Sequence, residues 1–554
     1  MLLVQSISNL YLPRLNAELI NNGVAKGNLP YIWHTGFIMV GASGLIIVAS
    51  MFISYMASRI ANNVARDIRR EVFTSVENFS TRELNQFGAP SLITRNTNDV
   101  SQIQMLVNMG LTMMIGAPIT GIGAVIMALR TDVQLSGLLL VAVPVLSLII
   151  WALLHRIVPL FRTAQIRLDR INLVMREQIA GIRVIRAFVK TRYEEARFAD
   201  ANTELMQVNL SVSRTFAIMF PSLMMVMNLS SVAVIWFGAH LINNGQMEIG
   251  NLIAFLNYIM QILMSVMMAV MMSMFIPRAQ ASAERIKEVL DLESSVVDPT
   301  DAIETSTHSG IVEFRGVEFR YPGAEQAVLQ DITFTAKPGK MTAIVGSTGS
   351  GKTTLLNLIP RLIDATAGEV LIDGIDVRKQ KLEAVWKKIG YIPQRALLFG
   401  GTVESNLKFG RLDATEEEIW EALTVAQADS FVTEKDGALA ASVAQGGANF
   451  SGGQKQRLSI ARALIKRPEI YLFDDAFSAL DFTTDAKLRK ALGTHAKDAT
   501  VIIVAQRVST IMKADQIIVL NEGRIDGIGT HKQLMKSSKT YQEIVLSQLS
   551  PEEI

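Results

Sequence analysis

Thr342-Ala343-Ile344-Val345-Gly346-Ser347-Thr348-Gly349-Ser350-Gly351-Lys352-Thr353-Thr354 decides the fold of one half of this chain. A short apolar strand runs into G-x-x-x-x-G-K-[ST], and the helix-prone run Leu355–Ile363 follows. That context makes the glycine pattern a phosphate-binding loop. The backbone N–H groups from Gly346 to Gly351, with the helix N-terminus, can cradle phosphates. Lys352 would reach the β and γ phosphates of ATP, Thr353 would offer its hydroxyl to Mg²⁺, and Thr354 belongs to the same phosphate-binding turn. Further on, the apolar strand Ile470-Tyr471-Leu472-Phe473 ends on Asp474, placed to complete the Mg²⁺ site directly or through water.

Around this loop, short β-rich runs alternate with helical patterns. Ile311–Phe319, Met341–Val345, Val370–Ile372, Ile470–Phe473, Val501–Val504 and Gln516–Leu520 read as strands. Strand–helix alternation of this kind predicts an α/β domain with a largely parallel core sheet, which we place at 311–548, with 549–554 as a tail. The Ser/Thr/Asp-rich stretch before it reads as a linker, 288–310.

The first 287 residues are of another kind. The chain has 554 residues, 49% hydrophobic and only 19% charged, and its mean hydropathy is +0.29. The apolar runs lie at Ile32–Ala61, Met105–Leu129, Val133–Leu160, Phe216–Ile242 and Leu252–Ile276. Each is long enough to cross a bilayer as a helix. Met1–Leu12 is a sixth apolar run, but Pro13, Arg14, Asn16 and Glu18 follow it. Twelve helical residues rise only about 18 Å, short of the ~30 Å hydrocarbon core, so this helix is incomplete or begins upstream. The expected architecture is therefore an all-α six-helix transmembrane domain, its first helix short, followed by an α/β phosphate-loop domain. Between the spans, two polar stretches of helical periodicity, 62–104 and 161–214, are long, whereas Arg130-Thr131-Asp132 and Asn243–Gly250 are short connectors. Basic flanks such as Arg66-Asp67-Ile68-Arg69-Arg70 assign the long stretches to the cytosol. A net charge of +2 gives no argument for nucleic acid, the absence of cysteine excludes disulfides and thiolate metal sites, and the N-terminus lacks the basic region and cleavage site of a signal peptide.

Phe450-Ser451-Gly452-Gly453-Gln454 precedes the strand that ends on Asp474. Ser-Gly-Gly-Gln at this place resembles the signature of ATP-binding cassette (ABC) proteins, and other family motifs fall in order around it. Tyr321 in Phe319-Arg320-Tyr321-Pro322 is similar to the aromatic that stacks on adenine. Gln394 in Tyr391-Ile392-Pro393-Gln394 is similar to the glutamine that senses Mg²⁺ and the attacking water. Ser478-Ala479-Leu480-Asp481 resembles the loop that crosses to the opposite nucleotide site. With the helices ahead of it, the whole chain resembles a half-transporter of the multidrug exporter class. The resemblance implies a cassette dimer in which each ATP lies between one chain's phosphate loop and the other chain's signature. Ser451, Gly452, Gly453, Gln454 and Asp481 would then serve the partner's ATP.

Two positions depart from the family pattern. Asp475 stands where a glutamate would polarise water, and Gln506 in Val504-Ala505-Gln506-Arg507 stands where a histidine would contact the γ-phosphate. Losing one methylene pulls the carboxylate back by roughly 1.5 Å. General-base catalysis is worth about 10²–10⁴-fold, or roughly 3–5 kcal/mol, and depends on hydrogen-bond reach. Asp475, Gln506 and Gln394 remain the candidate catalytic set, in a site expected to bind ATP well and cleave it slowly. This combination resembles the degenerate-site subunit of heterodimeric bacterial exporters, which implies a second half-transporter carrying Glu and His. The bland alternative is that Asp and Gln are tolerated variants.

The coupling segments implied by the resemblance are Glu83–Val100 and Gly181–Phe198. Twelve of the 26 methionines lie between Met219 and Met274, and Met260, Met264, Met267, Met271 and Met274 share one helical face. That face is either lipid- and helix-packing surface or a soft wall for apolar ligands. The expected activity is ATP-driven export of hydrophobic or amphipathic small molecules across the cytoplasmic membrane. A lipid or peptide cargo, or a sensor subunit that binds ATP without transport, are the competing readings.

Overall fold

The computed structural model describes residues 1–273, 275–303 and 309–549. The backbone forms two compact units, 1–76 with 90–292, and 77–89 with 293–554.

The first unit is helical. Among the described residues, five helices are long and apolar enough to cross a membrane: Leu29–Glu77, Ala89–Thr131, Val133–Ala187, Thr191–Asn243 and Ile249–Leu290. The expected sixth, at the N-terminus, does not reach this standard. The helix Leu2–Glu18 continues past Leu12, with Pro13 inside it, into a π-helical turn Leu19–Val24. Its length is therefore greater than its apolar run predicted, but the continuation is polar. It is nevertheless packed into the unit: Leu10 and Ala17 are buried, the buried Tyr258 hydroxyl donates to Leu10 O at 3.1 Å, and Gly250 N donates to Asn21 Oδ1 at 2.7 Å. Small residues let these helices approach. A Cβ at Gly123 would fall 2.3 Å from Leu10 Cδ1, and one at Gly250 would fall 2.4 Å from Ala17 O. In lipid, where burial gives helices little mutual attraction, such close approach and buried hydrogen bonds hold a bundle together. The long helices Leu29–Glu77, Val133–Ala187 and Thr191–Asn243 run well past their apolar runs, which accounts for the polar, helical stretches read from the sequence.

Among the described residues, the second unit carries twelve strands: β1 (Val312–Phe319), β2 (Leu329–Ala336), β3 (Met341–Gly346), β4 (Ala367–Ile372), β5 (Ile375–Asp376), β6 (Ile389–Ile392), β7 (Gly401–Thr402), β8 (Ser442–Val443), β9 (Ile470–Asp474), β10 (Thr500–Val504), β11 (Gln516–Asn521) and β12 (Arg524–Gly529). Six form the central sheet in the order β12-β11-β3-β10-β9-β6, parallel except for the β11–β12 pair. A four-stranded antiparallel sheet, β2-β1-β4-β5, covers one side. Alternation explains why β9 and β10 read as unbroken apolar runs. Ile470, Leu472, Ile502 and Val504 enter one core, and Tyr471, Phe473, Val501 and Ile503 enter the other. Both faces of the sheet are covered, so neither needs polar residues. Strands β2, β6 and β12, and the two-residue β5, β7 and β8, lie outside the runs read as strands from sequence; polar positions such as Asp331 in β2 and Asp526 in β12 interrupt the apolar pattern.

Candidate functional site

Four neighbouring parallel strands deliver the site. Ile344 of β3, Val504 of β10 and Asp474 of β9 lie in register, and Ile392 of β6 pairs with Phe473. The loops leaving the carboxyl ends of these strands carry the phosphate loop, Gln506, Asp475 and Gln394. In open α/β sheets that is where ligands bind.

The helix Lys352–Leu358 begins directly at the loop, three residues earlier than the Leu355 start predicted from sequence, and ends sooner. Gly349 and Gly351 sit at φ 83° and 95°, and a Cβ at Gly346 would lie 2.1 Å from Leu520 O. Glycine is required at both kinds of position. Lys352 Nζ turns onto the loop's own carbonyls, Gly346 O at 3.0 Å and Ser347 O at 2.7 Å. Its burial pulls the ammonium below the usual lysine range, opposed by the charges of Asp475 and Asp474. Thr353 Oγ1 donates to Asp474 Oδ1 at 2.9 Å. That hydroxyl–carboxylate pair is a hard oxygen set suited to Mg²⁺. Among the described residues no cluster of three or more acidic or histidine side chains forms a metal cage, and Mg²⁺ is usually held by one or two carboxylates together with substrate phosphates. Thr353 and Asp474 would hold the ion, whose chemistry here is to neutralise phosphate charge. Tyr321 stands half-exposed at the side of the loop, its hydroxyl 3.2 Å from Thr354 Oγ1, its ring edge-on to Phe319 at 4.8 Å between centroids.

Asp475 is the meeting point. One carboxylate oxygen, Oδ2, accepts from Gln506 Nε2 at 3.0 Å and from Gln394 Nε2 at 3.3 Å. The three residues read as a catalytic set from sequence are thus brought together on a single atom. Asp475 adopts a left-handed backbone, φ 48°, held by its N–H to Val504 O at 3.0 Å and by the Ser478 hydroxyl on its carbonyl at 2.8 Å. Burial pushes its carboxyl above the usual range, while the donors from Gln394 and Ser478 act the other way. Asp474 is raised for the same main reason, and the neighbouring Asp475 charge adds to it.

The signature residues stand apart. Ser451 caps the helix Gly452–Ile465: its hydroxyl accepts from Gln454 N, and Gln454 Oε1 accepts from Ser451 N at 3.0 Å. Ser451 and Gly452 are exposed, and no hydrogen bond among the described residues joins Ser451 to the phosphate loop. A Cβ at Gly453 would lie 3.2 Å from Ala479 O, so the signature packs beside the segment Ser478–Asp481. Asp481 caps the next helix, Phe482–His495, and is exposed.

One residue escaped the sequence reading. Arg507 donates to Leu480 O at 3.1 Å and Ser478 O at 3.2 Å, with its guanidinium 4.9 Å from the Phe482 ring centroid. It ties the loop after β10 to the loop after β9. Only its place beside Gln506 signalled it.

Of the segments expected from sequence to carry coupling, Thr81–Phe87 is a short helix capped by Ser80 and Glu83, with Ser80 Oγ 3.0 Å from Ser295 Oγ. Arg95–Asp99 is π-helical and faces the helix Ile276–Leu290, where Asp99 accepts from Ser282 Oγ at 3.0 Å and Arg285 Nε at 2.8 Å. The second segment turns at Phe188–Val189, both strongly exposed. In the methionine-rich region Met219, Met267 and Met271 join Phe216, Phe220 and Leu154 around a wholly apolar cavity of about 200 Å³. Met274 lies outside the described residues.

Residues 1–266 match the family model for the ABC transporter transmembrane region, and 329–478 match the ABC transporter model. An uncharacterized ABC transporter ATP-binding protein of Mycobacterium tuberculosis is 50% identical over 550 residues, covering 99% of this chain and 94% of that protein. Bacillus subtilis YgaD, named as a candidate multidrug export ATP-binding/permease protein, is 32% identical over 88% of this chain and 84% of its own. The ATP-dependent lipid A-core flippase of Syntrophus aciditrophicus is 30% identical over 89% and 82%. The solved structure of a bacterial Atm1-family ABC exporter with ATP bound shares the fold, with a TM-score of 0.82 at 22% identity over 99% of this chain and 97% of that one.

Proposed function

Because this chain belongs to the ABC transporter family, as a membrane-embedded exporter half with its ATP-binding domain in the cytosol, we propose that it exports hydrophobic or amphipathic compounds as one half of a heterodimer whose own ATP site holds nucleotide more than it splits it. The observation that carries this reading is the Asp475 carboxylate gripped by two amides. A general base needs a free lone pair within reach of water and a pKa matched to its task. Here the shorter carboxylate sits further back, its Oδ2 is occupied by two donors, and the nearby group that could carry positive charge is replaced by an amide. Gly346 to Thr354 and Tyr321 would bind ATP, with Thr353, Asp474 and Gln394 around Mg²⁺.

Ser451, Gly452 and Asp481 are exposed, and among the described residues no hydrogen bond joins them to their own phosphate loop. They support a role at the partner's ATP. The partner would supply Glu and His, so the main hydrolysis would occur at its phosphate loop under this chain's signature. The decisive assay is ATPase activity of the co-purified pair. Fast turnover by this chain alone would overturn the heterodimer reading.

For the cargo, the apolar cavity and the face Met260-Met264-Met267-Met271 supply polarizable, adaptable surface. Met264→Ala with Met271→Ala should change which apolar dyes are moved by inside-out vesicles. An unaltered profile would return these side chains to lipid packing, and ATP-driven movement of a fluorescent phospholipid alone would favour a lipid cargo.

A further inference from the structure

The C-terminal helix Lys539–Leu546 ends near the ATP site. Tyr541 and Val545 anchor it, both fully buried, and the Tyr541 hydroxyl lies 2.8 Å from His531 Nδ1. Gln548, two residues beyond, is held by its own N–H to Val545 O at 3.0 Å. Its side chain then makes two bonds to one short segment. Gln548 Nε2 donates to Gln506 O at 2.7 Å, and Gln548 Oε1 accepts from Val508 N at 2.9 Å. A primary amide satisfies a donor and an acceptor at once, as here, on both sides of Arg507.

We infer that Gln548 is a positioning residue, an amide clamp from the C-terminal helix that fixes the Gln506–Val508 backbone and so aims Gln506 at Asp475. Among the described residues, three side-chain grips hold the segment. The Gln506 side chain reaches Asp475 Oδ2. The Arg507 guanidinium reaches Ser478 and Leu480 carbonyls. Among the described residues, only the Gln548 side chain grips this backbone from outside the two loops. The strand β10 ends at Val504, and its last tie to β3 is Ala505 N to Ile344 O at 3.2 Å, so among the described residues no sheet bond holds the chain from Gln506 onward. Without the clamp, Gln506 would keep its side chain but lose its aim. Sequence alone could not show this, because 42 residues separate the partners.

The inference rests on the proposed holding site, and the assay separates the two. The assembled transporter is loaded with radiolabelled azido-ATP, chased with cold ATP, and the label retained on this chain is followed. Gln548→Ala should speed loss of label about tenfold, the scale of one or two ordinary hydrogen bonds. Gln548→Glu keeps the acceptor for Val508 N but loses the donor for Gln506 O, and should fall between. Aim has a further signature. The label loaded before the chase should equal the parent's, which mere loss of folded protein would not allow. In a Gln506→Ala background, Gln548→Ala should add nothing. Loading that falls in step with retention, or an effect that adds fully to Gln506→Ala, overturns the clamp. If the parent chain releases its label at once through fast hydrolysis, the holding reading fails instead. The same variants are then compared in turnover, where the clamp predicts a lower kcat at unchanged KM for MgATP, and equal kcat overturns it.

Discussion

The loop after β9 and the loop before the helix Gly452–Ile465 face opposite demands. Asp475 is buried, and neighbouring loops direct Gln394, Gln506 and Ser478 onto it. Ser451 is exposed, satisfied only by its own capping box. One loop is finished within the chain; on the proposed reading, the other would be completed by the partner's ATP. A buried polar group must find its partners inside the fold, because leaving it unpaired costs roughly 1–3 kcal/mol. An exposed one can keep water until a ligand arrives. The difference teaches where each ATP is handled: this chain's own ATP would meet the buried set, and the exposed turn is free to serve another.

The largest expected effect removes the inward half of this comparison. Lys352→Ala deletes the ammonium that now rests on Gly346 O and Ser347 O. Truncating one member of a buried charge pair typically costs 2–5 kcal/mol, so azido-ATP labelling of this chain should weaken by roughly 10²–10³-fold. Undiminished labelling would break the assignment of the phosphate loop.

Next comes restoration. Asp475→Glu with Gln506→His should return reach and charge to the site and raise hydrolysis on this chain by about 10²-fold, the lower end for general-base catalysis. The left-handed backbone at 475 is kept by bonds to Val504 and Ser478 that a glutamate can also make. If single-turnover hydrolysis does not rise, slowness does not come from these two side chains.

Much of this half was legible because its motifs are local. The phosphate loop, Asp474 and the signature each lie within one strand–turn–helix passage, and glycine spacing shows them without any knowledge of the fold. Convergence on Asp475 Oδ2 was legible only in part, since Gln394, Asp475 and Gln506 sit on the loops after three strands whose order sequence does not state. Arg507 was signalled only by its place beside Gln506, and Gln548 not at all, because their partners are main-chain atoms of distant loops, which carry no side-chain signal. In the membrane half, hydropathy found five spans but misjudged the N-terminal helix. Its apolar run stops at Leu12, while the helix goes on through Pro13 and Arg14 because Tyr258 and Asn21 hold it by hydrogen bonds.

A smaller effect tests the outward loop. Ser451→Ala should lower ATPase turnover of the assembled pair about tenfold while leaving azido-ATP labelling of this chain unchanged. Losing the cap costs about 1 kcal/mol of helix stability, so Ser451→Thr, which can keep the cap and the hydroxyl, should restore most of the turnover. Equal turnover in all three proteins would sink the assignment of the signature to the partner's ATP.

The smallest effect concerns stability rather than turnover, and it has a definite sign. Burial holds the Asp475 carboxyl above its ordinary value in the folded domain. A folded state that binds the proton more firmly than the unfolded chain loses stability as pH rises. The loss begins near the ordinary carboxylate value and is complete above the raised one, so at neutral pH the ATP-free protein bears the whole cost of the buried charge. Asp475→Asn removes that charge at constant shape, and its amide oxygen can still accept from Gln394 and Gln506. Without nucleotide, the variant should be more stable at neutral pH by about 1 kcal/mol, the usual scale for relieving strain at a functional site, and its thermal midpoint should vary less with pH. The exposed turn offers no such gain, because Ser451 carries no buried charge to relieve. A variant less stable than its parent would mean that the two amides already compensate the charge in full, and the buried loop would then be finished without any ligand.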